Sequence, residues 1–559
     1  MTQTKRTSSL IVAGLGAACA LASRAPSAWA LAPKVLTIAP GRGGDAAQNG
    51  GAGNEQPTVV SVTDDAGQRY VVVIYMSSDV DAAQDLDPWQ CKCTSVRLSP
   101  SSPPEIVADQ VYLTKNQGTN RPCNHPFAAT DGKRIVWAHG HNENGGNTQT
   151  YAQAIDFMCN PLGDAVMISD AGSNAQQGAP EIRFLSGDRF VAGYYHDGND
   201  DDHTYVRGLR LTADDTIEAS YRVAAVDDTA IGRPTIATHG DKALVCAPRG
   251  DNRPPEDGVA CAWIDAVTGA VHWRDKVIVP SEPANQIYMN QPSLAPLGNG
   301  RFALQVIEST GQGKNGNAKG VSRVHLQVLE PSDVDGPGAA GLKGKVSNVG
   351  AYQTHTAIIS GRYGEKGEIF AGLFEAPITG SSLPVISFFG YDAAGQHWNP
   401  FDAGRDRWIV GANAGDSGKL ANQYGANPGK QGRDFMRGIG DVPNPGAGVS
   451  GGWMSEVKSF FVLPYAGKRS GETKNALFLT FVPGETLVAV EAPEPPDVLP
   501  DSTGETTSGG NHAGPSPDDL SGCTCGVAGS SGEADGAALG GVALLWLARR
   551  RRDARGARR

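Results

Sequence analysis

Four blocks of one pattern constrain this chain more than any other feature. They begin at Pro126 (PFAATDGKRIVWAHG), Pro180 (PEIRFLSGDRFVAGYYHDG), Pro234 (PTIATHGDKALVCAPRG) and Pro292 (PSLAPLGNGRFALQVIES), at spacings of 54, 54 and 58 residues. In each, a short apolar run enters a glycine turn, a basic or polar residue follows, and a second apolar run begins, which is the signature of a hairpin. Proline can open such a strand because a first residue need not donate to the ladder. A second half recurs as YAQAIDFMCNPLGDAVMI, YVRGLRLTADDTIEASYRV, VACAWIDAVTGAVHW, VHLQVLEPSDVDG and SFFGYDAAGQHW, each a strand, an acidic or glycine turn and another strand. Four strands in a unit of about 55 residues make a propeller blade, whereas immunoglobulin-like sandwiches need about 100 residues each.

The expected fold is therefore an all-β propeller over residues 57–490, of about seven four-stranded blades, with six or eight also compatible. A blade before the repeats runs from RYVVVIYM through SVRLSP, and one after them combines KSFFVLPY, NALFLTFV and ETLVAVE, with Thr58 to Val62 as the strand that closes the ring. Closure removes the sheet edges that an all-β protein must otherwise protect. Residues 411–452 break the rhythm as a glycine-rich insertion, too long for an ordinary loop.

The two ends carry addresses rather than fold. Lys5 and Arg6, the apolar run Leu10 to Leu21 and Ala28-Trp29-Ala30 form the three parts of a secretory signal over residues 1–30, with cleavage after Ala30. Cys19 is a poor lipoprotein site, because Gly16 stands where a branched aliphatic residue is usual. Residues 491–522 contain no Lys or Arg and are rich in Pro, Ser, Thr and acids, so they cannot bury enough surface to fold and are expected to be a disordered stalk. Then follow Cys523 and Cys525, the apolar stretch Ala537 to Ala548 and a basic terminus. That stretch is shorter than the roughly 20 residues needed to span a bilayer. Cysteine, short hydrophobic helix and terminal arginines resemble the MYXO-CTERM sorting domain of myxobacterial exported proteins, here over 523–559. The resemblance implies a signal peptidase and a C-terminal sorting protease as partners, processing near Cys523 or Cys525, attachment to the membrane through the tail, and display at the cell surface or outer membrane of a Gram-negative bacterium.

The formal charge of −11 becomes about −18 when the basic leader and tail are removed. Such a balance disfavours the phosphate backbone of a nucleic acid and suits cationic partners or divalent metals. Six cysteines remain in the body, an even number that favours disulfides in an exported chain. Cys246 and Cys261 lie in neighbouring strands of one blade and are expected to bridge. Cys91, Cys93, Cys123 and Cys159 allow three pairings, and Cys91 with Cys93, at i and i+2, could instead join a metal site.

Repetition dictates that the loop after the second strand of each blade emerges on one face of the disc. This places His139, His141 and Glu143 in one such loop, His196, Asp197, Asp201 and His203 in the next, and Arg249, Glu308 and Glu375 in those that follow. The imidazoles and carboxylates are the ligand types of a divalent metal, calcium or zinc. Asp197-x-Asn199-x-Asp201 lacks the sixth-position glycine of a calcium hand, and Asp79, Asp81, Asp85 and Asp87 fit no defined motif. Gly415-Asp-Ser417-Gly418 and Gly448-Val-Ser450-Gly-Gly452 match serine-nucleophile patterns but lack a strand leading in and a helix leading out. No HExxH, phosphate-loop or dinucleotide fingerprint occurs. Asp265, Thr268, Gly269 and Trp273, and in part Asp392, Gly395 and Trp398, resemble the repeat of quinoprotein dehydrogenase propellers, which implies that the tryptophan locks neighbouring blades. The family's adjacent cysteines are absent, so no quinone is carried over.

These readings converge on an exported, surface-anchored propeller that binds an extracellular ligand, whether glycan, protein or matrix component. The alternatives are a propeller enzyme, hydrolase or oxidoreductase, with a metal-assisted site on the loop face, and a structural spacer of the envelope.

Overall fold

The computed structural model describes residues 34–490, except for 41–53, 78–89, 115–122, 143–146, 171–174, 199–201, 228–232, 250–257, 281–287, 313–317, 339–342, 350–355, 363–367, 378–383, 401–407, 410–437 and 468–475. Its strands form seven antiparallel sheets, six of four strands and one of six. The first blade orders β2 (Asn54–Thr63), β3 (Arg69–Ser77), β4 (Gln90–Leu98) and β5 (Glu105–Tyr112) from the centre outwards. The second has β6 (Cys123–Thr130), β7 (Ile135–Asn142), β8 (Thr148–Ile155) and β9 (Val166–Met167). The third has β10 (Gln176–Ser186), β11 (Arg189–Asp197), β12 (His203–Leu211) and β13 (Ile217–Asp227). The fourth has β14 (Thr235–His239), β15 (Lys242–Arg249), β16 (Gly258–Asp265) and β17 (Val271–Pro280). The fifth has β18 (Tyr288–Pro296), β19 (Phe302–Gln312), β20 (Ala318–Leu329) and β21 (Lys343–Val349).

The last two blades share the chain ends. The sixth contains β22 (Thr356–Arg362), β23 (Glu368–Pro377), β24 (Pro384–Asp392) and β25 (His397–Pro400), with β26 (Trp408–Ile409) against β24 and β30 (Leu487–Val490) against β25. The seventh contains β27 (Ile439–Pro443), β28 (Ser459–Gly467) and β29 (Ala476–Pro483), and its outer strand is β1 (Lys34–Ala39). Inner strands of successive blades touch in order, and the seventh meets the first, so the ring closes.

Closure differs from expectation in its parts. Lys34–Ala39 completes the last blade, pairing with β29 from Lys34 opposite Phe481 to Ala39 opposite Leu477, whereas Thr58 to Val62 lies in the inner strand of the first. The segment containing Leu487–Val490 seals the outer edge of the sixth blade. Glycine-rich residues from Ile439 onwards belong to the ring, as β27 and the turn behind it. A Cβ on Gly446 would stand 2.9 Å from the Pro100 carbonyl and one on Gly452 2.7 Å, so only glycine permits this approach of the seventh blade to the first.

Pro234 does stand just before its strand, β14, but the other repeat prolines lie inside theirs. Pro57, Pro126 and Pro180 sit inside β2, β6 and β10 where the ladder register shifts, and Gln56, His125 and Ala179 before them have φ of 52°, 50° and 44°. The bulge absorbs the missing proline N–H without costing a ladder bond. The Gln56 side chain accepts from the His125 N–H at 2.9 Å, tying one bulge to the next blade's.

The core lies between blades, because alternate residues of each second strand face opposite neighbours. Ile135 and Trp137 pack with Val72 and Ile74 of the first blade, whereas Val136 and Ala138 pack with Phe190 and Ala192 of the third. Disulfides Cys91–Cys123 and Cys93–Cys159 clamp the first blade to the second, and Cys246–Cys261 joins directly opposed residues of β15 and β16. With all six body cysteines oxidised, Cys91 and Cys93 are not thiolate metal ligands. Trp273 does lock neighbours: its Nε1–H donates to the Ser332 carbonyl of the fifth blade at 2.9 Å, and Trp263 donates to Asp333 at 2.7 Å. Beneath them the Asp265 carboxylate accepts from the Val267 and Thr268 N–H groups and the Thr268 hydroxyl, with Gly269 at φ 79° finishing the turn. Trp398 donates instead to Asp392 of its own blade at 3.4 Å. Among the described residues no helix is long and apolar enough to cross a membrane. The leader, the stalk and the tail with Cys523 and Cys525 lie outside the described residues.

Candidate functional site

Meander topology gives the ring two unlike faces. Connections from first to second strand and from third to fourth make one, the turn face. Those from second to third strand, and from each outer strand to the next blade, make the other, the loop face. His141, His196, Arg249 and Glu308 all stand near the loop-face ends of their second strands. By strand alternation each faces the preceding blade, so they are distributed one per seam around the ring rather than converging on one point.

The seam between the first two blades is aromatic. Trp137, His139 and His141 alternate along β7 and therefore share one side, opposite Gln153, Tyr151 and Gln149 of β8. The His139 ring stacks on Trp137 with centroids 4.2 Å apart and planes 13° apart. His139 lies 6.0 Å from both His141 and Tyr151, and His141 lies 5.0 Å from Tyr151. These four residues, with Leu113, Thr114, Gln153 and Ala165, line a cavity of about 50 Å³. His139 is 3% exposed, and its Nδ1 has no hydrogen-bond partner. Burial, and secondarily His141, holds the His139 imidazole well below its ordinary pKa and thus neutral. Leaving such a polar atom unmet costs about 1–3 kcal/mol, a strain that a ligand would relieve.

The next seam, between the second and third blades, is charged. His196 and His203 are directly opposed across the β11–β12 ladder, and Tyr205 stands edge-on to both at 5.4 Å. His203 Nδ1 lies 3.0 Å from the Asp227 carboxylate, which also pairs with Arg274 at 3.3 Å. Arg222 lies 3.4 Å over the Tyr205 ring while pairing with Asp170 at 2.6 Å. Burial, then the adjoining Asp202 carboxylate, pushes Asp197 up to about 6. Burial alone would drive Tyr194 the same way, and it rises to about 12 despite neighbouring Arg222. In the fifth blade Glu308, 1% exposed, is paired with His325.

The sequence-derived site residues thus divide into two groups. His139 and His141 belong to one seam and His196 and His203 to the next, whereas Asp197, adjacent to His196 on β11, lies on the other side of that strand by the same alternation. Glu143 and Asp201, with Asp79, Asp81, Asp85, Asp87 and Ser417, lie outside the described residues, and the side chain of Glu375 is likewise undescribed. Ser450 sits in a tight turn flanked by Gly448 and Gly451 at φ 72° and 73°, with no nucleophile elbow. Among the described residues no three His, Cys, Asp or Glu side chains gather as a metal-binding group. Sequence reasoning missed Trp137, Tyr151, Tyr205, Arg222 and His325. The alternation of Trp137 with His139 and His141 was the available signal for the first of these.

No family model matches the chain, and no match was found among curated proteins. Among solved structures it resembles the Penicillium chrysogenum α-L-arabinanase complexed with arabinobiose, at 9% identity and a TM-score of 0.37, covering 66% of this chain and 94% of that one. It also resembles an α-L-arabinofuranosidase of Fusarium graminearum, at 13% identity and 0.37, covering 65% and 93%. A Trypanosoma rangeli sialidase follows at 11% identity and 0.35, covering 62% and 58%. At these values the likeness carries no functional argument.

Proposed function

We propose that the chain is an exported, surface-displayed propeller that binds an extracellular glycan, protein or matrix component through its loop face. One observation carries the reading: both ends of the ring leave from the opposite face. β1 enters at Lys34, opposite Phe481 at the turn-face end of β29, and β30 ends at Val490, opposite His397 just after the Asp392–Gln396 turn. A stalk beginning at residue 491 would start from the turn face, so its attachment would leave the loop face unobstructed. That loop face is where the second strands carry His141 and His196. Three disulfides suit the oxidising compartment that such a location requires.

The test is a glycan and matrix-protein array probed with the full chain, with a loop-face variant, His196→Ala with Asp197→Asn, and with a turn-face variant, Lys133→Ala with Arg210→Ala. Binding should fall at least tenfold in the first variant and stay unchanged in the second. The opposite pattern would remove the proposal. A second reading, a propeller enzyme, is favoured by the Asp197–Asp202 pair, since a carboxyl titrating near 6 can exchange protons at neutral pH. It requires turnover of an arrayed ligand that Asp197→Asn abolishes, whereas a binder gives retention without product.

A further inference from the structure

We propose that Arg207 and Arg222, on the side of the third blade that faces the second, form a subsite for the carboxylate of a uronic acid residue in a glycan, a choice that rests on the glycan reading above. Arg207 of β12 and Arg222 of β13 are directly opposed partners in the ladder, so two guanidiniums share one side of the sheet. Like charges placed directly opposite are destabilising unless a group of the other sign lies beside them. Among the described residues one such group is present, Asp170, which pairs with Arg222 at 2.6 Å.

Arg222 is fully engaged. Its Nη1 pairs with Asp170, its Nε–H donates to the Tyr194 hydroxyl at 3.1 Å, and its guanidinium lies 3.4 Å over the Tyr205 ring. Arg207 is not. Among the described residues no carboxylate pairs with it, and its buried Nε meets no hydrogen-bond partner. The charges of both arginines reach the hydroxyl of Tyr194, a fully buried residue, so the two cations stand around one phenol. One positive charge is left over, and a single carboxylate balances it. A carboxylate also accepts two parallel N–H groups from one guanidinium, which gives the contact direction as well as charge.

The site is reachable from solvent. β9, the outermost strand of the second blade, has two residues, too few to cover the eleven of β13, and Arg207, Arg222 and Tyr205 stay half-buried. Strand alternation continues the row from Arg207 through Tyr205 to His203, which opposes His196 at the loop-face end. Such rings have apolar faces and polar edges, complementary to the C–H face and hydroxyl rim of a sugar. A peptide gains less, because β12 is hydrogen-bonded on both edges and offers its main chain no ladder. The negative balance of the body repels a long polyanion, so isolated uronates in an otherwise neutral glycan suit the site best.

The test presents the full chain with oligosaccharides carrying one glucuronate, galacturonate, mannuronate or guluronate, each beside its methyl ester, with singly sulfated oligosaccharides and glutamate peptides as the other arms. At least one uronate should bind tenfold or more tightly than its ester and than either other arm. Arg207→Gln should weaken that binding at least tenfold without lowering the melting temperature, since it removes one of two opposed cations, whereas an arginine with a purely structural role would lose stability. Arg207→Lys should recover part of the affinity. If Arg207→Gln fails to fold, the acid-to-ester ratio of the parent decides. Equal affinity for every acid and its ester, binding unchanged in folded Arg207→Gln, or a sulfated sugar or glutamate peptide bound as tightly as the best uronate would each overturn the proposal. Retention of neutral glycans alone would overturn it and leave the glycan reading standing, whereas absence of all glycan binding would remove both.

Discussion

Removing the disulfides one at a time should rank them by the chain each one closes. The bridges span 32, 66 and 15 residues for Cys91–Cys123, Cys93–Cys159 and Cys246–Cys261. In the chain-entropy model the lost constraint on the unfolded chain amounts to about 3.7, 4.4 and 3.0 kcal/mol respectively at 25 °C. The folded state pushes the ranking the same way. Cys246 and Cys261 are opposed partners in a continuous ladder, whose neighbours Val245–Ala262 and Ala247–Ala260 hold them together without the bond. Cys93–Cys159 instead joins β4 to the turn after β8, across a seam with no ladder between the blades. Replacing each pair by Ala and following urea unfolding by tryptophan fluorescence should therefore place the Cys93/Cys159 variant lowest and the Cys246/Cys261 variant highest. The measured difference between the extremes should be about 1.4 kcal/mol or more. A Cys246/Cys261 variant less stable than the Cys93/Cys159 variant would refute the argument, since neither loop length nor ladder support could produce that order.

Two further outcomes follow from single residues. Asp197, pushed up to about 6 in the fold, binds its proton more tightly there than in the unfolded chain, so stability should fall as pH rises from about 4 to about 6. Because the group is partly solvated, solvent screening limits the effect to on the order of 1 kcal/mol, and Asp197→Asn should flatten that part of a thermal-melt pH profile. Gly452→Ala would drive a Cβ into the Pro100 and Gly446 carbonyls, at 2.7 and 2.8 Å, and should cost about 1–3 kcal/mol in chemical denaturation, whereas exposed Gly187→Ala meets no atom and costs only its φ of 62°.

Particular residues show how far the sequence could be read. The repeat at Pro126, Pro180 and Pro292 located inner strands because the pattern is local: an apolar run, a glycine turn and a second run each occupy one hairpin. Closure was not legible, because Lys34–Ala39 pairs with a strand more than four hundred residues away and carries no repeat of its own. The same holds for Leu487–Val490, which reads as a fourth strand of the last blade yet adds to the one before it. Glycine content misled at Gly446 and Gly452, where it serves a close backbone approach rather than looseness. At the site, the period of two put His139 and His141 on one side. It could not reveal that this side looks onto the first blade, or that Trp137 stacks there, because facing depends on how blades are set round the ring.

That dependence explains why chemistry here is organised by seams. Every blade must pack an apolar side of its second strand against the preceding blade, as Phe190 and Ala192, Ala243 and Val245, and Phe302 and Leu304 do. The apolar requirement ends where the strand reaches the loop face, because solvent and loop atoms replace the neighbouring sheet. The same strand side is then free to carry His141, His196, Arg249 or Glu308 without disrupting the ring, and each receives a different partner from its own blade: Tyr151, His203 and Tyr205, Asp275 through its carbonyl, or His325. A propeller of this kind can therefore vary its recognition seam by seam while its packing stays constant. Substitutions at these four positions should change ligand binding independently of one another, whereas substitutions two residues earlier on the same strands should act first on stability.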